Sequence, residues 1–144
     1  MKQSTAKAKW DKGLKDGSGK LTTGNGTVEA NYSYATRFGS STSGTNPEEL
    51  IGAAHSGCYS MFLAGLLGKE NFTPEYVQTT AKVHLGEKDG APLIQKIELY
   101  TEAKAENLTD DDLQRLAKQA KEGCPVSKAL AAVPEIVLEA KLIE

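Results

Sequence analysis

The chain has 144 residues, 39% of them hydrophobic and 25% charged, which fits a single globular domain, 1–144, and excludes a disordered chain. Its formal net charge is −2 with no basic stripe, which argues against nucleic acid as a partner. No stretch reads as a continuous apolar span of about 20 residues, and Met1–Lys7 lacks the apolar core of a signal peptide, so the expected setting is cytoplasmic, away from membranes.

Residues 1–38 read as strands punctuated by Gly13, Gly17, Gly19, Gly24 and Gly26. Val28, Ala30, Tyr32 and Tyr34 alternate with more polar neighbours, as in a half-buried strand. Residues 39–45 (GSSTSGT) read as a loop. A helix start follows: Asn46 can cap, Pro47 suits the first position, and Glu48 and Glu49 favour the positive helix end. The helix is expected from Pro47 to about Gly68. Leu50, Ala54, Cys58 and Phe62 mark one face. Much of it is small and apolar (Gly52, Ala53, Ala54, Gly57, Ala64, Gly65), and glycine inside a helix costs about 1 kcal/mol relative to alanine. So many small residues make sense only where another backbone packs close by, as in a central, buried helix.

Residues 75–85 and 93–103 read as strands of an antiparallel hairpin turning at Lys88-Asp89-Gly90. A second helix starts at Thr109, carries Asp110, Asp111 and Asp112 in its first turn, and buries Leu113, Leu116, Ala117 and Ala120 before Gly123 ends it. A short third helix starts at Cys124-Pro125 and ends near Ala131. Residues 135–143 finish as a strand. Strands before and after the helices give an α+β fold.

Two cysteines suit neither a secreted disulfide scaffold nor an obvious zinc motif, leaving inert, metal-bound or catalytic thiols. Cys58 lies mid-helix. Cys124 lies at a helix mouth, where thiolates are favoured. Cys58 gains nothing from a helix end and needs a cation to ionise; a small buried hydrophobe is the alternative reading. Only two arginines stand against fifteen lysines. Arg115 falls on a charged helix surface, whereas Arg37 lies just before the loop. Its guanidinium is always charged and forks toward two partners, so it is either the stabiliser of a thiolate, held by Glu48 or Glu49, or else a surface residue or a member of a structural ion pair. Glu48 and Cys58 are ten residues apart on one helix, about 15 Å at 1.5 Å per residue. If both serve one site, the glutamate comes from a partner subunit. A metal site of His55, Cys58, His84 and Cys124 is the weaker rival, because His84 and Cys124 lack the close ligand pairing of structural zinc. Otherwise His55 reads as a polar residue at the helix edge and His84 as an ordinary strand residue.

Thr45-Asn46-Pro47-Glu48-Glu49-Leu50-Ile51-Gly52-Ala53-Ala54-His55-Ser56-Gly57-Cys58 and Gly123-Cys124-Pro125-Val126-Ser127 resemble the two motifs of the OsmC/Ohr family, the osmotically induced and organic-hydroperoxide-resistance proteins. The likeness covers nearly the whole chain. Ser56-Gly57 stand where relatives often carry alanines, a small-for-small change. The early segment has no arginine, as the Ohr branch would, and Arg37 fits the OsmC branch. The resemblance implies a thiol peroxidase unrelated in fold to thioredoxin-like peroxiredoxins, with long central helices wrapped by antiparallel sheets in an intertwined homodimer. It implies Cys58 as the peroxidatic cysteine, Cys124 as the resolving one, Arg37 as the group stabilising thiolate and peroxide, and Glu48 as its orienting carboxylate. The implied cycle runs through a Cys58 sulfenic acid and a Cys58–Cys124 disulfide, reopened by an external dithiol of lipoyl type, in oxidative and osmotic stress defence. It needs no metal, flavin or haem. A non-catalytic redox sensor or small-ligand binding module on the same fold is the alternative; a sensor would react once and stop.

Overall fold

The structure, a computed structural model, describes all residues Met1–Glu144 and divides into two compact units, Met1–Leu50 and Ile51–Glu144. The first holds an antiparallel sheet of β1 (Ala6–Asp11), β2 (Ser18–Thr23) and β3 (Glu29–Ser33), in that order. Trp10 and Tyr32 pack with ring centroids 5.2 Å apart across Gly19. A Cβ at Gly19 would lie 2.3 Å from the Tyr32 ring, so only glycine fits between the two aromatics.

The strand expected to run through Tyr34 stops at Ser33, and Tyr34–Phe38 forms a one-turn helix, α1. The cause is a capping box: Ser33 Oγ accepts from the Thr36 N–H, and Thr36 Oγ1 accepts from the Ser33 N–H at 2.8 Å. Local side-chain bonding here overrides the alternation. The following loop returns along β3, pairing Thr45 with Tyr32, and Asn46 donates through Nδ2 to the Thr36 carbonyl.

Helix α2 (Pro47–Lys69) begins where the cap predicts, with Asn46 Oδ1 accepting from the Glu49 N–H at 2.8 Å. Its buried face is Gly52, His55, Tyr59, Leu63 and Leu67. That differs from the expected stripe of Leu50, Ala54, Cys58 and Phe62, because the helix is apolar nearly all round and its pattern singles out no face. The expectation that no segment is apolar enough to span a membrane is also corrected. By length and composition α2 qualifies, and 28% of its most apolar window is buried. Met61 is 78% exposed, and Cβ atoms added at Gly57, Gly65 or Gly68 would meet nothing within 4 Å.

Within the second unit, β4 (Pro74–Lys88), β5 (Ala91–Ala105) and β6 (Glu135–Leu142) form one sheet in sequence order. The β4–β5 hairpin turns on Asp89 and Gly90, both at positive φ (52° and 78°), as a two-residue turn matched to strand twist demands. β6 pairs with β5 in parallel, a departure from purely antiparallel sheets. It follows from the crossover through α3 (Asp110–Gly123) and α4 (Pro125–Ala129), which returns the chain in the direction of β5. The short helix α4 ends two residues earlier than expected. Ile97, Leu99 and Ala103 of β5, Tyr59, Leu63 and Leu67 of α2, and Leu113, Leu116 and Ala120 of α3 make the core, and Cys124 belongs to it. Each fully buried leucine in that layer contributes roughly 1.5–3 kcal/mol.

Candidate active site

Cys58 faces the α3–α4 junction from α2, and the two sulfurs are 3.1 Å apart, joined by a thiol hydrogen bond. Both cysteines are reduced. A disulfide of about 2.05 Å needs only about 1 Å of closure from here. Three local features place Cys124. Thr109 caps α3, accepting from the Asp112 N–H. Gly123 lets α3 end against Phe62 of α2, where a Cβ would lie 2.7 Å from the ring. Pro125 then starts α4 at once, with no N–H of its own.

The N–H groups at the start of a helix lack intrahelical partners, and in α4 they turn to sulfur. The Val126 N–H reaches both sulfurs and the Ser127 N–H reaches Cys124. Burial pushes Cys58 up, its bond with Cys124 adds to this, and the Val126 N–H opposes it; the thiol lies above its ordinary pKa. Burial also pushes Cys124 up. The Ser127 N–H, the Cys58 thiol, the Ser127 hydroxyl and the Val126 N–H together outweigh it and hold Cys124 below its ordinary value. Of the two thiols in this unit, Cys124 is the one whose surroundings favour ionisation. No cation contributes at either sulfur.

His55 was expected at the helix edge, but it is fully buried, with Nε2 2.7 Å from Ser127 Oγ and Nδ1 without a partner. Outside the weaker metal reading of His55, neither residue was expected to serve the site. The signal was His55 three residues before Cys58 and Ser127 three after Cys124, one helical turn from each sulfur. Burial holds His55 below its ordinary value of 6.5. The unfolded chain therefore binds a proton that the folded chain refuses. Stability is full above about 6.5 and lost as pH falls toward the folded-state value, by at most about 1.4 kcal/mol per pH unit. A His55→Gln variant is expected to lose that slope in urea unfolding at stepped pH; an unchanged slope assigns it to other groups.

His84 does not join the cysteines. It lies on β4 and pairs with Glu98 of β5, and no cluster of three or more His, Cys, Asp or Glu is assembled for a metal ion.

The first unit holds the other sequence-marked pair. Arg37 at the end of α1 donates through its Nη2 to Glu48 Oε1 at 2.8 Å and through Nε at 3.2 Å. The capping box and the Asn46–Thr36 bond set this approach. Glu49 instead accepts from Thr45 Oγ1 at 2.8 Å, so the carboxylate on Arg37 is Glu48. The Glu48 side chain is 8% exposed and Arg37 36%, leaving one side of the guanidinium open. Arg115, by contrast, is tied to Glu70 and Asp112. Arg37 borders an open apolar cavity of about 340 Å³ lined also by Trp10, Leu14, Tyr32, Tyr34 and Phe38.

Residues 39–139 match the family model described as OsmC-like protein. The chain is 41% identical over 136 residues to Peroxiredoxin OsmC of Escherichia coli (strain K12), covering 94% of this chain and 93% of that protein. It is 33% identical over 95 residues to the organic hydroperoxide resistance protein OhrA of Bacillus subtilis (strain 168), covering 66% of each. Among solved structures, the organic hydroperoxide resistance protein OhrB of Bacillus subtilis superposes with a TM-score of 0.70 at 26% identity, over 95% of this chain and 98% of that one. With the family model covering most of its length and a relative above 40% identity along nearly all of it, this chain belongs to the family of OsmC-like proteins.

Proposed function

We propose that this chain is a cysteine-based peroxidase that reduces hydroperoxides in defence against oxidative stress, with Cys58 peroxidatic, Cys124 resolving, and Arg37 and Glu48 supplying the charge that activates Cys58. The observation that carries this reading is the pair of reduced sulfurs 3.1 Å apart beneath the first-turn N–H groups of α4. The relatives' names point the same way: one is a peroxiredoxin, others are organic hydroperoxide resistance proteins.

The Cys58 thiolate attacks the distal oxygen of ROOH. The S–O bond forms, the O–O bond breaks, and the alkoxide leaves as ROH on taking a proton. Cys124 then displaces hydroxide from the Cys58 sulfenic acid, giving a disulfide and water. An external dithiol of lipoyl type exchanges with the disulfide and leaves as its own disulfide. A reducing cytoplasmic pool suits that last step. The apolar cavity beside Arg37 suits the organic part of an alkyl hydroperoxide.

The unit holding the sulfurs contributes no cation to Cys58, and Glu48 and Cys58 stand ten positions apart on one helix. We therefore place the activating Arg37–Glu48 pair on a second copy of the chain, in a homodimer packed through α2, with 1–144 acting as one domain. The glycine face of α2 supports this. Gly57 and Gly65 meet nothing in a single chain, so selection for their lack of a side chain has no reason there. A Gly65→Arg variant is expected to fold but to sediment as a monomer and lose turnover; a fully active dimeric variant contradicts the arrangement.

The functional reading is tested by steady-state turnover with cumene hydroperoxide and hydrogen peroxide, using dihydrolipoamide as reductant. Many turnovers per chain, faster with the organic peroxide, are expected. Consumption that stops at one equivalent with reductant in excess contradicts an enzyme.

A further inference from the structure

We propose that His55 and Ser127 form a hydrogen-bond relay that holds Cys124 as the thiolate closing the disulfide, making His55 a positioning residue for the resolving half of the cycle. This rests on the peroxidase reading above.

A fully buried imidazole needs a reason, since an apolar side chain would fill the space without leaving Nδ1 unpartnered. Its one bond runs from Nε2 to Ser127 Oγ at 2.7 Å. Ser127 is itself buried, in the first turn of α4 three residues after Cys124, and its hydroxyl is among the groups that hold the Cys124 thiol low. A hydroxyl has one proton to give. If that proton points to the sulfur, the oxygen accepts from His55, so Nε2 carries the hydrogen and Nδ1 is the bare nitrogen. Burial keeps the ring neutral. The result is a line of donors, Nε2–H to Oγ–H to Cys124 Sγ, reinforced by the N–H groups of Val126 and Ser127. Cys58 shares only the Val126 N–H.

The two sulfurs therefore draw on different devices at different stages. An approaching guanidinium favours charge on Cys58, and Cys124 then keeps its proton. Once Cys58 is a neutral sulfenic acid, the relay favours release of the Cys124 proton. The thiolate attacks the Cys58 sulfur, the S–S bond forms, the S–O bond breaks, and the departing hydroxide takes up a proton as water.

The test follows Cys124 thiolate absorbance against pH in a Cys58→Ser background. His55→Leu and Ser127→Ala are each expected to raise the Cys124 midpoint by about one unit. The double variant is expected to rise no further than Ser127→Ala alone, because the imidazole acts through the hydroxyl. His55→Gln, whose side-chain amide donates from a similar position, is expected to restore most of the shift. With both cysteines present, His55→Leu is expected to lengthen the lifetime of dimedone-trappable Cys58 sulfenic acid about tenfold. Additive shifts, or a midpoint unmoved by His55→Leu, overturn the relay. Should His55→Leu fail to fold, Ser127→Ala removes a single oxygen, and an unmoved midpoint there is equally decisive. The titration uses no peroxide: a parent protein without turnover sinks the peroxidase reading, whereas a Cys124 midpoint indifferent to Ser127 and His55 sinks this one.

Discussion

Cys58→Ser is expected to lower hydroperoxide turnover by at least about 10³-fold, the order of loss when a covalent nucleophile is replaced by a much weaker one. The serine hydroxyl keeps the size of the side chain and a hydrogen bond to Cys124, so the variant is expected to fold and to unfold at a similar urea midpoint. What disappears is the thiolate. Serine does not ionise near neutral pH, and its oxygen forms no sulfenic acid. Cys124 remains, below its ordinary pKa and under α4, but it is fully buried. Access separates the two thiols, since Cys58 is only partly covered. Cys124→Ser is accordingly expected to consume about one peroxide per chain and then stall with Cys58 oxidised. A Cys58→Ser protein that turns over at the parent rate would move the nucleophile to Cys124 and invert the assignment.

The second large effect is expected at Arg37. In the unit that holds them, burial and the bond with Cys124 push the Cys58 thiol up, which disfavours the thiolate that the attack needs. An opposite charge within about 4–6 Å lowers a thiol by roughly 1–3 units, in the direction that favours the Cys58 thiolate. Arg37→Ala should therefore reduce kcat/KM at neutral pH by roughly 10–10³-fold. The deficit should shrink as pH rises and Cys58 ionises unaided. Iodoacetamide alkylation of Cys58 against pH should move to higher pH in step. Arg37→Lys is expected to recover only part, because an ammonium cannot hold Glu48 and face a thiolate with the same planar fork. A pH–rate profile identical to that of the parent would remove the arginine from the mechanism.

Much of this site was legible in the chain. Asn46-Pro47-Glu48-Glu49 announces α2, and Asp89-Gly90 announces the long hairpin, because caps and tight turns depend on a few adjacent residues. Cys124 before Pro125 marks a helix mouth for the same reason. Arg37 stood out by rarity, and the loop that folds it onto Glu48 is short. The face of α2 was not legible, since a helix apolar on all sides has no preferred stripe, and with it went the burial of His55. The helical turn at Tyr34–Phe38 was masked by an aromatic alternation that continues past the strand's end. The parallel return of β6 depends on the path of α3 and α4 across the sheet, which no local pattern encodes. Ser127 became meaningful only when folding set it against a histidine 72 residues away.

The arrangement in trans makes one demand that no arrangement within a single chain can meet. Cys58→Ser chains keep a good Arg37, and Arg37→Ala chains keep a good Cys58; in the proposed homodimer, each pairing of like chains has two defective sites. Unfolding the two together in equal amounts and refolding them yields heterodimers for half of the molecules, each with one intact site. Mixed protein is then expected to regain about one quarter of parent turnover, the share set by random pairing in a two-fold dimer. Turnover no higher than the average of the two separate variants, with heterodimers verified by mass, would contradict an arginine supplied across the interface.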